Sequence, residues 1–294
     1  MRYCQAVLPK AGLGNRLFPW ARCRVFSFKN NVPMLAPNWT QIRVGPLLRG
    51  EPDLRHYSDL FLARQDEVTG VRKLLVQLRS RRENEEENSG LAGDNGRSIL
   101  KVFAGEQDRF LHLNGWHQFL RAEVRAITKP QWIKAVDEIK EVPVGIHVRM
   151  GDFVEAHAEP DNPHRRVPHS WFSESLKAIR KAAGYPVSAV IVSDGKESEL
   201  RELLDQEQVS LVRTGSAIGD LLVLSSSKVL IASAGSSFSA WAAFLGQMPG
   251  IAHPSQSFDW FNLVNHNNYY LGPADPTRLP EVLIDQVKSI FGKQ

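Results

Sequence analysis

Three short stretches of this 294-residue sequence gather residue types that could grip an anion or a sugar. The first is Ala11-Gly12-Leu13-Gly14-Asn15-Arg16-Leu17-Phe18. An apolar run precedes it and helical spacing succeeds it. Glycines let backbone N–H groups approach a ligand, and a helix start adds the positive end of a dipole. The spacing is not Gly-x-Gly-x-x-Gly, so a tight turn alone also accounts for it. The second stretch is Ile146-His147-Val148-Arg149-Met150-Gly151-Asp152-Phe153. Alternation along a strand points His147 and Arg149 to the same side. A planar, always-charged guanidinium suits a diphosphate. Gly151 permits a turn, and Asp152 either orients Arg149 or caps the next segment. A surface Arg–Asp pair beside a satisfied histidine reads the same way. The third stretch, residues 220–245, holds an apolar run ending at Ser233, then Gly235-Ser236-Ser237 opening an apolar helix. Its hydroxyls and N–H groups offer a phosphate cradle, an ordinary N-cap at Ser236 or Ser237, or both. A fourth feature is Asp194, just past the apolar run 187–192, where an acid can accept hydrogen bonds from a ribose or a base.

The elements that must position these residues can be read from hydrophobic spacing. In the first half, strands are expected over 3–8, 32–35 and 99–103, and helices over 13–28, 71–78, 118–127 and 131–139. Residues 38–57 read as irregular. Residues 81–98, nearly devoid of apolar side chains at their start, read as a flexible loop. In the second half, strands over 142–148, 187–192, 209–212, 228–232 and 250–252 alternate with helices over 171–183, 197–205, 218–225, 237–245 and 279–291. Continuous apolar strands alternating with helices predict an α/β chain with parallel, doubly covered sheets. Two domains are expected, 1–140 and 141–294, with the hinge near 138–143.

Composition narrows the class. Apolar residues make up 43% and charged residues 23%, which excludes a disordered or fibrous chain. The formal charge of +4 conceals an asymmetry: residues 1–140 carry 23 basic and 15 acidic side chains, residues 141–294 carry 13 and 17. That mild basic half suits a phosphate-bearing or membrane-surface partner better than a nucleic acid, for which no motif is present. Two cysteines, Cys4 and Cys23, in apolar surroundings favour a reducing compartment. No apolar run has the length of a signal peptide or a membrane span, so a cytoplasmic location is expected, with peripheral contact at the inner membrane face.

Taken together, Gly12-Leu13-Gly14-Asn15-Arg16-Leu17-Phe18, His147-Val148-Arg149-Met150-Gly151-Asp152-Phe153, Ser193-Asp194 and the run from Asp220 through Phe238-Ser239-Ala240-Trp241 resemble the fucosyltransferase superfamily of α1,2-, α1,6- and protein O-fucosyltransferases. They are most similar to its bacterial α1,2 branch. The resemblance covers residues 5–28 and 140–250, while 38–135 match nothing in it. It implies a GT-B arrangement, two Rossmann-like domains facing across a cleft. It implies GDP-fucose as donor, inversion at the anomeric carbon, no required metal or cofactor, and a glycan acceptor in surface polysaccharide or oligosaccharide synthesis. By position, Arg149 would bind the diphosphate, His147 and Asp194 would meet the guanosine, and Ser236 and Ser237 would contact phosphate oxygens. Asn15 and the Gly12–Gly14 turn would line the cleft, and Asp220 would be structural. The chain departs from the superfamily at Met150, where a second Arg is common, at Gly195, where a second Asp is common, and at Ala240, where a second Trp is common.

The transfer so implied needs a general base within reach of the acceptor hydroxyl. Asp152, Glu155, His157, Asp53 and His56 are the candidates, and the reading places Asp152, Glu155 and Asn15 beside Arg149 as catalytic residues. Trp39, Arg43, Arg49, Arg55, His56 and Tyr57 are expected to form an acceptor surface, one suited to a lipid-diphosphate-linked glycan, or else a structural loop. The alternatives are a transferase of the same fold using another GDP-sugar, or a non-catalytic protein that binds a nucleotide sugar or a glycan. His157, His164 and His169 fit no metal-ligand spacing.

Overall fold

The computed structural model describes residues 1–40, 57, 59–87, 97–151, 153, 166–264 and 268–292. The described residues up to Lys129 form one compact unit, and those from Pro130 onward form a second.

The first unit opens with strand β1 (Arg2–Val7) and helix α1 (Leu13–Asn30). Next come strand β2 (Met34–Leu35), helix α2 (Gly70–Arg79), strands β3 (Arg81–Asn84) and β4 (Ile99–Ala104) and helix α3 (His117–Ile127). The sheet order is β2-β1-β4-β3, every pairing parallel. Helix α1 is buried almost all round, with Leu17, Phe18, Trp20, Ala21 and Cys23 inaccessible to solvent. It also buries three arginines, Arg16, Arg22 and Arg24. Buried charge is tolerated only when paired. Arg24 Nε meets Glu123 of α3 at 2.6 Å and its Nη1 meets Asp66 at 2.9 Å, while Arg22 Nε meets Glu85 at 2.9 Å. Cys4 and Cys23 are buried free thiols.

Residues 81–84, expected to begin a loop, form β3, an edge strand paired with β4 from Arg81 opposite Ile99 to Asn84 opposite Val102. Backbone hydrogen bonding suffices there, and the one inward side chain, Glu83, is neutralised by Arg81 at 2.5 Å. An edge strand needs no apolar alternation, which is why hydropathy hides it.

The second unit runs α4 (Pro130–Asp137), β5 (Val144–Val148), α5 (His169–Ala183) and β6 (Ala189–Ser193), then a 3-10 turn (Glu197–Leu200) leading into α6 (Arg201–Leu204) and β7 (Val209–Leu211). It continues with α7 (Ala217–Ser225), β8 (Val229–Ala232), α8 (Ser237–Gly246), β9 (Gly250–Ala252), β10 (Leu271–Pro273) and α9 (Glu281–Phe291). All pairings are parallel in the order β10-β9-β8-β5-β6-β7. β5 and β8 are buried along their whole length, as a doubly covered parallel sheet requires. One face packs Ile146, Val148, Ile191 and Ile231 against Trp171, Phe172, Leu176 and Ile179 of α5 and Leu283 and Val287 of α9. On the other face α7 sits directly on β5: a Cβ at Gly145 would lie 2.0 Å from Ser227 Oγ and 3.3 Å from Leu224. Strand β10 was not expected. Like β3 it is a short edge strand held through its backbone.

The second sheet contains a point where the strand order reverses, between β5 and β8, from which β5–β7 run one way and β8–β10 the other. The crevice beyond the carboxyl ends of two such strands is where open α/β sheets bind ligands.

Candidate functional site

In the second unit the reversal joins two sequence clusters 84 residues apart. The backbone N–H of Arg149, just past β5, donates to Ser233 Oγ, just past β8, at 3.1 Å. The Ser233 N–H donates to the His147 carbonyl at 3.1 Å. On the other flank Ser193 Oγ donates to the Val148 carbonyl at 2.7 Å and accepts from the Gly195 N–H at 3.0 Å. The ends of β5, β6 and β8 are thus tied into one rim.

Arg149 stands on that rim. Its guanidinium forms an ion pair with Asp194, and the other carboxylate oxygen of Asp194 accepts from the Met150 N–H at 2.8 Å. The arginine side chain is 18% exposed and that of Asp194 17%. The guanidinium also lies 5.7 Å from the Phe153 ring centre. Asp194, expected to meet a guanosine, orients Arg149, one of the parts offered to Asp152. Asp152 and Glu155 lie outside the described residues, as do Asp53, His56 and His157. The turn carrying Phe153 is clamped by Arg166, whose Nε donates to the carbonyls of Met150 at 3.2 Å and Phe153 at 3.1 Å. No sequence signal pointed to Arg166.

His147 points beneath α8. It is 3% exposed, stacks on Phe238 with centroids 5.0 Å apart, and shares a 2.6 Å hydrogen bond between Nδ1 and Ser239 Oγ. Burial drives its pKa down to about 3, opposed by Asp194 and reinforced by Arg149. The imidazole is therefore neutral at physiological pH and braces the start of α8. Ser236 is the N-cap of that helix, its Oγ accepting from the Phe238 N–H at 3.3 Å. Ser237 opens the helix, half-buried. Gly235 N–H is held by Gln256 Oε1 at 3.3 Å. The helix start lies three residues beyond Ser233, whose Oγ holds the Arg149 backbone, and its free N–H groups carry the positive end of the dipole. Two positions that depart from the superfamily touch each other: a Cβ at Gly195 would lie 2.7 Å from Met150 Cγ. Met150, buried in the core, takes the space above that glycine. Asp220 accepts from the N–H and hydroxyl of Thr214 at 2.8 and 2.9 Å and steadies the entry to α7.

In the first unit Gly12 caps α1 in an extended conformation, and the Leu13 N–H donates to Tyr57 Oη at 3.0 Å. Gly14 is buried in the first turn. Asn15 hydrogen-bonds Glu106, just past β4, whose pKa burial raises against the pull of Arg109 and Asn15. Pro19 has no N–H, so the Asn15 carbonyl receives no helical bond. Arg16 is wholly buried: Nε donates to the Ala11 carbonyl at 3.1 Å, Nη1 to that of Trp39 at 2.8 Å, and the guanidinium lies over Tyr57 at 4.6 Å. Trp39 and Tyr57, expected on an acceptor surface, are 9% and 3% exposed. They build the seat of Arg16 instead. Arg43, Arg49 and Arg55 lie outside the described residues.

Parallel α/β units with a basic rim at a strand-order reversal define a class of anion-binding fold. The sequence model of glycosyl transferase family 11 matches residues 102–271, more than half of the chain. The chain belongs to that family, within the fucosyltransferase superfamily. No curated protein sequence matches it. Among solved structures it is similar to POFUT1 in complex with GDP, with a TM-score of 0.55 at 10% identity over 85% of this chain and 97% of that one. The apo form of POFUT1 gives 0.51 at 10% identity over 85% and 97%. NodZ fucosyltransferase from Bradyrhizobium gives 0.48 at 13% identity over 85% and 94%. At such identities the POFUT1 match speaks for a shared α/β fold.

Proposed function

We propose that this glycosyltransferase moves fucose from GDP-fucose to a hydroxyl of a glycan, α1,2-linked, with inversion and without a required metal. The observation that carries this reading is Arg149, held by Asp194 at the β5–β8 reversal, with its backbone tied to Ser233 three residues before the serine cap of α8. The GDP complex of POFUT1 supports the donor class. In this reading the units adopt a GT-B arrangement across a cleft, with the donor in the second unit and the acceptor on the side of Gly12, Gly14 and Asn15. The acceptor hydroxyl attacks the anomeric carbon as the bond to GDP breaks, through an oxocarbenium-like transition state. Negative charge grows on the diphosphate. Arg149 and the N–H groups of α8, preorganised before the reaction, meet that charge. Ser236 and Ser237 lie at the phosphate oxygens, and His147 and Asp194 support the nucleotide end. Asp152, Glu155 and Asn15 attend the acceptor hydroxyl. A lipid-diphosphate-linked glycan at the inner face of the cytoplasmic membrane is the acceptor class that suits the basic first half.

The test is a glycan panel incubated with GDP-fucose, read by product mass, with GDP-mannose as competing donor. A mass gain of one deoxyhexose on a galactoside is expected. Transfer only from GDP-mannose would reassign the donor. GDP binding without transfer to any glycan would make the protein a nucleotide-sugar binder.

A further inference from the structure

We propose that helix α2 of the first unit docks this protein on an anionic lipid bilayer. The helix reads Gly-Val-Arg-Lys-Leu-Leu-Val-Gln-Leu-Arg from Gly70 to Arg79. Val71, Leu74, Leu75 and Leu78 recur at i, i+3, i+4 and i+7, so they form one stripe about 100° wide. In a globular protein such a stripe faces the core. Here it faces away. Val71 is 72% exposed, Leu74 58%, Leu75 41% and Leu78 81%. The buried position is Val76, roughly 150° round the helix from the centre of the stripe. Val76 packs with Tyr3, Leu35, Val68 and Leu100 and anchors the helix to the first sheet. Single exposed leucines need no explanation, but four apolar side chains in register on one helix mark a surface made to be covered.

Charge selects what covers it. Arg72 and Arg79, both exposed, lie along one edge of the stripe next to Leu75, and the helix carries no acidic residue. Lys73 is drawn back, its Nζ donating to the Ala36 carbonyl at 2.6 Å. Of the described acids flanking the helix in sequence, the four nearest are occupied or buried, while Glu86 and Glu87, beyond β3, are exposed. Asp66 pairs with Arg24, Glu83 with Arg81 and Glu85 with Arg22, and Glu67 is buried. A second copy of this helix would bring leucines to the stripe but no anion to the arginines. An anionic membrane supplies both, hydrocarbon for the stripe and phosphate for Arg72 and Arg79. Ten residues span about 15 Å, so the helix lies in the interface and does not cross it. Among the described residues no helix is long and apolar enough to cross.

The experiment is co-sedimentation of the whole protein with vesicles of equimolar phosphatidylglycerol and phosphatidylcholine, against pure phosphatidylcholine. Binding to the anionic vesicles is expected, weakened by high salt and at least about tenfold weaker for Arg72→Gln/Arg79→Gln. Leu74→Ser/Leu78→Ser should abolish it while leaving the melting temperature and GDP affinity unchanged, since those side chains touch neither core nor site. Failure of the native protein to sediment with anionic vesicles, or equal sedimentation of the leucine variant, overturns the proposal. A lipid-free dimer in sedimentation velocity that the leucine variant dissolves also overturns it and reassigns the face to self-association. Because no readout uses transfer, this test stands or falls apart from the reaction proposed above.

Discussion

At the end of β1 the arginine of the first helical turn, Arg16, is 0% exposed, whereas at the end of β5 Arg149 leaves 18% of its side chain at the surface. Both residues come after an inner strand of a parallel sheet, and β5 borders the reversal of strand order. Arg16 donates to backbone carbonyls and lies over Tyr57, so its charge is consumed inside the fold. Arg149 is steadied by Asp194, and its backbone is tied to Ser233, three residues before the capped start of α8. The crevice of the first unit presents an amide and a carboxyl, Asn15 and Glu106, where that of the second presents a cation. The surroundings of one guanidinium decide whether it is spent inside the fold or left at a strand end.

The comparison breaks most directly at the two arginines. Arg149→Lys keeps the charge but loses the planar fork, and transfer should fall about a hundred- to a thousandfold while the urea midpoint barely moves. Near-normal turnover in this variant would falsify the role given to Arg149. Arg16→Ala should act the other way. It leaves two buried carbonyls without donors and a cavity under Tyr57, costing roughly 3 kcal/mol or more of stability. A stable Arg16→Ala protein without activity would move Arg16 into the site.

The units should also answer pH with opposite signs. Burial holds the Glu67 carboxyl at about 7 instead of 4.5, so the folded first unit keeps a proton that the unfolded chain has lost, and stability falls as pH rises from 4.5 to 7. His147, driven from 6.5 to about 3, stays neutral when folded, so stability falls as pH drops from 6.5 to 3. Each slope is about 1.4 kcal/mol per pH unit at most. Relative to the native protein, Glu67→Gln should lose the first slope and His147→Gln the second, in urea melts from pH 4.5 to 7. Identical pH profiles for all three proteins would remove both assignments. The smallest effect is expected at Gly195→Ala. Its Cβ would meet Met150 Cγ at 2.7 Å and Ser193 Oγ at 3.2 Å, costing about 1 kcal/mol with activity reduced only slightly.

Much of this was legible in the chain. The inner strands of the second sheet, β5, β6, β8 and β9, were found within about two residues, because a doubly covered strand must be apolar throughout, and the edge strand β7 was found from Val209 and Leu211. The edge strands β3 and β10 were not found, since Arg-Arg-Glu-Asn and Leu-Gly-Pro carry no apolar run and pair through the backbone alone. The stretches of anion-binding residue type, Asp194 among them, were recognisable, but which of them pair was not. Nothing near Arg149 in sequence announces Asp194, Ser233 or Arg166. Trp39 and Tyr57 look like a sugar-stacking surface until the fold turns them inward around Arg16.

Local order was set by the chain alone: which apolar segments are strands, where glycines and serines open a helix, and which half carries excess positive charge. Those properties depend on neighbours within a few residues, and hydropathy spacing records them. Strand adjacency, the Arg149–Asp194 pair, the burial of Arg16 and the outward turn of the α2 leucines were settled by tertiary structure. Each depends on which distant segments share a sheet edge or a helix face, and that is decided only when all the crossovers pack together.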